Sequence, residues 1–363
     1  MPRKKILVDA TGIVKTPTGL GKYSVYLLRS LLKNRNFQFS VFIQSNIAGN
    51  HPLRSLEKGN VHLISIDIPV IGPRREFVIY RMRESINNYH LYHCLSSYLP
   101  GFGIRIPSLV TIHDLKYLIF PQFLSNHLKA AYYSWIIRRS IRNATYIIAV
   151  SRATKQDVGR LGGSLEKIKV IHEAPTISYN GTSALPDTLL DKEFFLFVGE
   201  NRPHKNISRI IAAYSKVERD LGNQCPLFVF VGSKYEALMK RYASEKLIFL
   251  EPVPDETLAN LYKHAYALVY PSLYEGFGLP ILEAMEIGAP VITSNCSAMP
   301  EVAGDAALLI DPYDTDQMAA AMISLVHDKG KRTQLINAGK RRVRQFSWDR
   351  TAHEIIELYE AVI

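Results

Sequence analysis

Short runs of β-branched and aromatic residues alternate with helix-compatible stretches along almost the whole chain, and the rhythm starts twice. In the first half the runs are residues 6–8, 39–43, 61–66, 109–112 and 146–150. Between them one helix begins near Gly21, with Tyr23, Leu27 and Leu31 at i, i+4 spacing, and another covers residues 126–142. A break follows at 173–187, where Pro175, Gly181 and Pro186 stand among small polar residues, a linker composition. The pattern then restarts with runs at 194–198, 227–231, 247–250, 267–270, 291–293 and 307–310. Strand and helix in strict turn predict parallel, doubly wound sheets, because a parallel pair needs a crossover and a helix supplies it. The chain therefore reads as α/β with two Rossmann-like domains, residues 1–178 and 188–346, and 363 residues suffice for two cores. A closing helix over 347–363 starts at a capping Ser347 and puts Trp348, Ala352, Ile355, Ile356, Tyr359 and Val362 on one stripe that something must cover.

Composition narrows the class. Hydrophobic residues make up 47% and charged residues 21%, an ordinary globular balance. No run approaches the ~18 apolar residues of a membrane span, and the basic start at Arg3, Lys4 and Lys5 leads into a first strand that ends at Asp9, too short for a signal peptide. A cytoplasmic protein is expected. Cys94, Cys225 and Cys296 lack the spacing of a disulfide framework or a zinc site. Charge is lopsided: residues 1–180 carry 25 Lys and Arg against 9 Asp and Glu, a net +16, whereas residues 181–363 carry 19 against 24, a net −5. The first half thus calls for an anionic partner, and charge alone does not choose among nucleic acid, a lipid surface and a phosphate-bearing substrate.

The chemistry concentrates in stretches that follow strands. From Tyr270 to Glu286 a strand runs into a loop with Gly276 and Gly278, and Pro280 suits the first turn of a helix. Glycines let backbone N–H groups close on a ligand, and a helix N-terminus favours phosphate. Glu275 in the loop and Glu283 on the helix lie eight positions apart, so the two carboxylates can address different parts of one extended ligand. A carboxylate also binds sugar hydroxyls well, since it accepts charge-assisted hydrogen bonds from neighbouring groups. Glu286 reads as a solvated helix position. Gly199, Arg202 and Lys205 follow the first strand of the second half, cations placed for phosphate, although such a pair is more often plain surface. His113, beside Asp114, ends a strand in the first half; a lone histidine is usually structural, yet ligands of open α/β sheets gather at strand carboxyl ends. Gly19 and Gly21 form a short G-x-G before a helix, weak by itself, with Lys22 next to it. Ser151 suits a helix cap, and Asp314-Thr315-Asp316 imitates a metal-binding D-x-D but sits where Asp caps a helix. No catalytic metal is expected.

The stretch from Glu275 to Glu283 resembles the E-x7-E signature of retaining family-4 glycosyltransferases. The loop from Gly199 to Lys205 is similar to that family's G-R-x4-K, with one departure: Glu200 stands where many members have Arg, and Arg202 is the substitute. Thr111-Ile112-His113-Asp114 resembles the family's T-x-H-D, Gly19-Leu20-Gly21-Lys22-Tyr23 its G-x-G-R/K-Y loop, and 294–312 the segment that follows the E-x7-E helix. The resemblance implies a GT-B fold, two Rossmann-like domains facing a central cleft, with the closing helix 347–363 returning to the first. It implies Glu275, Lys205, Arg202 and His113 as the catalytic set, His113 as a contact to the donor sugar and not a base. Glu283, Gly276, Phe277, Gly278, Leu279, Gly19, Gly21 and Gly199 become the donor-binding set, Glu283 on the nucleotide ribose. No cofactor and no metal are implied; the nucleotide-sugar is a substrate.

The implied reaction moves a hexose with retention to a sugar hydroxyl of a glycan or polyprenyl-linked acceptor in bacterial surface polysaccharide assembly. The form of the motifs points first to mannose from GDP-mannose, then to a UDP-hexose, while a non-catalytic lipid- or carbohydrate-binding protein of this fold is the rival class. Two stretches, Pro73 to Arg83 and Lys129 to Arg142, mix Arg and Lys with Phe, Tyr and Trp. They suit peripheral contact with an anionic membrane at the inner face of the cytoplasmic membrane, or are ordinary solvated helix faces. No nucleic-acid motif accompanies the charge.

Overall fold

A computed structural model of the chain describes residues 3–13, 19–47, 53–57, 61–69, 71–124, 126–179, 181, 185–242 and 244–363. The chain divides into two compact units, Met1–Glu173 with Ser347–Ile363, and Ala174–Phe346. The division falls at 173/174 and not between 178 and 188. Residues 174–178 go with the second unit, where the Thr176 hydroxyl donates to Glu283 at 2.6 Å.

In the first unit β1 (Lys4–Asp9), α1 (Gly19–Leu31), β2 (Phe37–Gln44), β3 (Val61–Ile66), α2 (Pro73–Arg81), α3 (Arg83–Ile86) and β4 (Leu91–Cys94) follow in turn. Then come β5 (Ser108–Ile112), α4 (Lys116–Ile119), α5 (His127–Asn143), β6 (Tyr146–Ala149), α6 (Arg152–Arg160) and β7 (Ile168–Val170). Among the described residues the strands pair in parallel in the order β3-β2-β1-β4-β5-β6-β7. Side chains alternate across each strand, so Ile6 and Val8 join a core with Tyr23, Leu27 and Leu31, while Leu7 joins one with Ile136 and Ile137 on the opposite face. Two strands were not legible in the sequence. Leu91–Cys94 is short and carries His93, yet all four residues are buried between β1 and β5. Ile168–Val170 is a three-residue edge strand.

The second unit runs β8 (Phe194–Val198), α7 (Ile207–Leu221), β9 (Leu227–Val231), α8 (Glu236–Arg241), β10 (Leu247–Leu250), α9 (Asp255–His264) and β11 (Leu268–Tyr270). It continues with α10 (Leu279–Ile287), β12 (Val291–Ser294), α11 (Met299–Ala303), β13 (Leu308–Ile310), α12 (Thr315–His327) and α13 (Lys329–Val343). Its parallel order is β10-β9-β8-β11-β12-β13. Every strand expected from the second rhythm is present.

The final helix, α14 (Trp348–Val362), belongs to the first unit. Ser347 caps it by accepting from the Arg350 N–H at 3.2 Å. Ala352, Ile355, Ile356 and Tyr359 are buried in the core that holds α1, and Trp348 and Val362 pack against that core. Asp349 accepts from Ser30 and Lys33 of the α1 region at 2.8 and 2.6 Å. Tyr359 meets His93 Nδ1 at 2.6 Å, and His93 Nε2 meets Thr111 at 3.0 Å. Burial, with a smaller push from His113, takes the His93 pKa down to about 3, so the ring is a neutral bridge between β4, β5 and the final helix.

Candidate active site

In the second unit the strand order reverses between β8 and β11, the place where an open α/β sheet leaves a crevice at its carboxyl edge. The two loops that carry the sequence signals leave those two strands. They are bolted together by backbone-directed contacts. Asn206 adopts a left-handed conformation (φ 64°), which Asn tolerates better than most residues, and is buried. Its side-chain amide donates to the carbonyls of Pro271 and Pro312 at 3.1 and 2.6 Å, and the Leu273 N–H donates to the His204 carbonyl at 2.7 Å. From the β12 side, Ser294 donates to the Ser272 carbonyl at 2.5 Å and Ser297 to the Glu275 carbonyl at 2.7 Å. The loop bearing Glu275 is thus fixed at several points before any ligand arrives.

This arrangement brings Lys205 and Glu275, seventy positions apart, to 2.6 Å, each side chain only 15% exposed. The Tyr270 hydroxyl joins them: it donates to Glu275 Oε1 at 2.9 Å and takes a hydrogen bond from Lys205 Nζ. Burial works against the charge on Glu275, but the Lys205 ammonium, with His204 behind it, outweighs burial and holds the carboxyl below its usual range. The result is a preorganised, half-sheltered charge pair at the edge of the sheet.

Arg202 is not part of this pair. Its Nε donates to Glu200 at 2.8 Å, Lys234 meets the same carboxylate at 2.9 Å, and the Arg202 side chain is 45% exposed. Glu200 thus holds two cations side by side at the ends of β8 and β9. Gly199 at the end of β8 and Gly232 at the end of β9 approach so closely that a Cβ on Gly232 would collide with the Gly199 carbonyl. Glu283 is buried on α10 and accepts from Thr176 at 2.6 Å and from Tyr262 at 3.2 Å. Gly278 caps α10 with φ 113°, and Gly276 lies buried before it. The Phe277 side chain packs edge-on against Phe346 with ring centres 6.0 Å apart, so any part it takes in binding falls to its backbone; Leu279 opens the helix.

In the first unit His113 follows β5. Its Nδ1 meets Glu173 at 2.9 Å, its Nε2 meets the Leu95 carbonyl at 3.0 Å, and Tyr23 stands edge-on at 4.5 Å. Gly19 and Gly21 lie in the first turn of α1 and not in a loop: Gly19 is exposed and Gly21 buried, while Pro17 and Thr18 of the same motif lie outside the described residues. Asp114 accepts from the Lys116 N–H at 3.1 Å, Ser151 caps α6, and Asp314 caps α12 by accepting from two N–H groups at 2.9 Å. Asp316 pairs with Lys216 at 2.6 Å. A cavity lined by Gly101, Phe102, Arg105 and Arg139 also reaches Ser108, the amino end of β5, and so lies at the opposite end of that strand from His113.

One residue of the basic stretches departs from its expected place. Arg75 points inward from α2 and is fully buried, with Asp9 Oδ2 at 2.5 Å and Thr11 Oγ1 at 2.5 Å. Asp9 also accepts from Tyr92 and from the Thr11 N–H at 3.0 Å. Phe77, Tyr80 and Trp135 of the same two stretches are exposed, and Phe102, outside them, is exposed as well. Tyr270, Tyr262, Thr176, Asn206, Ser297 and Glu173 had no role in the sequence reading. Tyr270, Asn206 and Ser297 lie inside the motif stretches, which is a signal; Tyr262, Thr176 and Glu173 are placed only by long-range packing.

Two family models divide the chain between them: Glycosyltransferase Family 4 matches residues 17–174 and Glycosyl transferases group 1 matches residues 186–342. The O-antigen chain mannosyltransferase RfbU of Salmonella typhimurium is 31% identical over 87% of this chain and 90% of its own length. The O-antigen chain mannosyltransferase B of Escherichia coli is 29% identical over 98% of this chain and 99% of its own. Among solved structures, sucrose-phosphate synthase from Thermosynechococcus elongatus superposes with a TM-score of 0.77 over 99% of both chains at 20% identity, a likeness of fold. With both halves matched and the paired Lys205 and Glu275 at the reversal of the second sheet, this chain belongs to the group 1, family 4 glycosyltransferases.

Proposed function

We propose that this glycosyltransferase is a retaining, metal-independent mannosyltransferase that uses GDP-mannose in O-antigen assembly. The pairing of Lys205 with Glu275 carries the chemical part of the reading, and the O-antigen mannosyltransferases that match nearly the whole chain support the sugar. As the bond from the anomeric carbon to the β-phosphate breaks, negative charge grows on the departing diphosphate. A fixed ammonium at that position lowers the barrier because it needs no reorganisation. Lys205 fills this role, Arg202 and Lys234 add charge at the rim, and the amino end of α10 faces the phosphates. The acceptor hydroxyl attacks from the face that the diphosphate leaves, and a diphosphate oxygen takes its proton, so configuration is retained without a protein base. His113 suits a contact and not a base, since both its ring nitrogens are already engaged by Glu173 and Leu95. Glu283 takes the ribose hydroxyls by exchanging its bonds to Thr176 and Tyr262.

A thermal-shift panel of GDP, UDP, ADP and their sugar conjugates in EDTA tests the donor. A nucleotide at about 100 times its dissociation constant stabilises by about 2.7 kcal/mol. GDP and GDP-mannose are expected to shift the melting temperature selectively. A UDP-selective shift would move the donor to a UDP-hexose, and silence across the panel would favour a non-catalytic binding protein.

The acceptor is a glycan carried on a membrane lipid, and the first unit meets an anionic bilayer through the outer faces of α2 and α5. Among the described residues no helix is long and apolar enough to cross a membrane. The face combines Phe77, Tyr80, Phe102 and Trp135 with Arg81, Arg83 and Arg139, which lie over the Phe77, Tyr80 and Phe102 rings at 5.8, 4.3 and 4.3 Å. Aromatic rings wedge at the headgroup level, and each nearby cation adds about 1 kcal/mol on an anionic surface. Vesicles rich in phosphatidylglycerol are expected to pull down the protein, and a Phe77→Ala, Tyr80→Ala, Trp135→Ala variant to bind about tenfold more weakly. Equal binding of this variant would discard the face.

A further inference from the structure

We infer that Tyr270 is a positioning residue for glycosyl transfer, holding the Lys205 ammonium where the leaving diphosphate needs it. Lys carries its charge on a flexible four-carbon stem, and freezing such a side chain costs rotamer entropy. A lysine left to find the transition state unaided would give up part of its electrostatic benefit to that ordering. Tyr270 removes the freedom in advance. It is the last residue of β11, its ring stacks on Phe197 of β8 with centres 6.1 Å apart, and its carbonyl accepts from Thr293 at 2.8 Å. Ring and backbone are therefore locked by two neighbouring strands, and the side chain is buried.

From that fixed base its hydroxyl holds Lys205. One N–H of the ammonium donates to the hydroxyl oxygen. The hydroxyl proton goes to Glu275 Oε1 at 2.9 Å, the atom that Lys205 itself meets at 2.6 Å. The three groups close a triangle in which each bond fixes the direction of the others. Burial and the Glu275 carboxylate push the Tyr270 hydroxyl well above its ordinary range, so it remains a donor throughout neutral pH. When a donor diphosphate draws the ammonium from Glu275, the hydroxyl oxygen still restrains it.

The inference rests on the reading of Lys205 as the group facing the leaving diphosphate, and a mutant cycle separates the two. Turnover and donor KM are measured for Tyr270→Phe, Lys205→Ala and the double variant, with melting temperatures for all. Tyr270→Phe keeps the ring against Phe197 and loses only the hydroxyl. Its turnover is expected to fall about tenfold, the worth of one hydrogen bond to a charged group, with donor KM nearly unchanged and the melting temperature lower by only a few degrees. In the Lys205→Ala background the same change should cost nothing further, because Tyr270 acts through Lys205. Wild-type turnover in Tyr270→Phe beside a slow Lys205→Ala overturns this inference alone, as does an equal fall in both backgrounds. A higher donor KM at unchanged turnover also overturns it. Wild-type turnover in Lys205→Ala overturns the parent reading and this inference with it.

Discussion

Lys205→Ala is expected to lower turnover by about 10²- to 10³-fold, the usual cost of removing one preorganised group that stabilises transition-state charge. The size of the effect follows from where the charge sits. Lys205 and Glu275 are each 15% exposed, so water screens them poorly, and in the proposed mechanism the ammonium meets the departing diphosphate at a low effective dielectric. Glu275 balances the ammonium in the structure; in the proposed mechanism the diphosphate takes over that role in the transition state, so the interaction strengthens as the bond breaks. An interaction that grows along the reaction appears in turnover more than in KM. Removing the lysine also takes away the main counter-charge of the sheltered Glu275 carboxylate, so the melting temperature should be measured alongside activity. A folded variant with undiminished turnover would end the leaving-group role of Lys205.

The largest effect on stability is expected from Arg75→Ala, a loss of about 3–5 kcal/mol, because it strands the Asp9 charge in the core. Arg75 and Asp9 are both fully buried and 2.5 Å apart, and Thr11 and Tyr92 complete the network. For a unit of this size that loss lowers the melting temperature by about 10 °C. Replacing both partners at once, Asp9→Leu with Arg75→Met, should recover most of it, since no charge is then left buried. Burial opposes ionisation of Asp9, but Arg75, Thr11 and Tyr92 prevail and hold its carboxyl below the usual range. A carboxyl depressed on folding contributes stability that is complete above its unfolded pKa and is lost as pH falls through the folded value. The wild type should therefore show an acid limb of instability below about pH 4 that the double replacement makes shallower. A melting temperature for Arg75→Ala within a degree or two of wild type would refute the account.

Arg75 also shows where sequence reading reaches its limit. In Pro73-Arg74-Arg75 the two arginines look alike, and the stretch that holds them reads as a basic face, membrane-bound or solvated. Helical phase turns Arg75 toward the sheet, where Asp9 waits at the end of β1; its neighbour Arg74 meets Asp67 at the surface, 2.9 Å away. The phase of a nine-residue helix depends on where it starts, and that is set by Gly72 at φ 134° and the packing of Ile79. The strand β4 is hidden in the sequence for a related reason: His93 interrupts its apolar run, and only the contacts with Tyr359 and Thr111 explain a histidine at the centre of a sheet.

Local order in the amino-acid sequence was enough to determine the fold class, the strands of the second sheet, the amphipathic closing helix and the family. These depend on periodicity, on capping residues and on short motifs, all of which act over a few neighbouring positions. The motifs also located the two loops of the candidate site. Which groups meet was decided by the tertiary structure alone. Lys205 reaches Glu275 and Tyr270 because β8 and β11 are adjacent although two other strands lie between them in the chain. Arg202 instead turns to Glu200, and Glu283 finds Thr176 from the start of the unit. Strand order is set by burying the faces of many strands together, and no short stretch of sequence contains that sum.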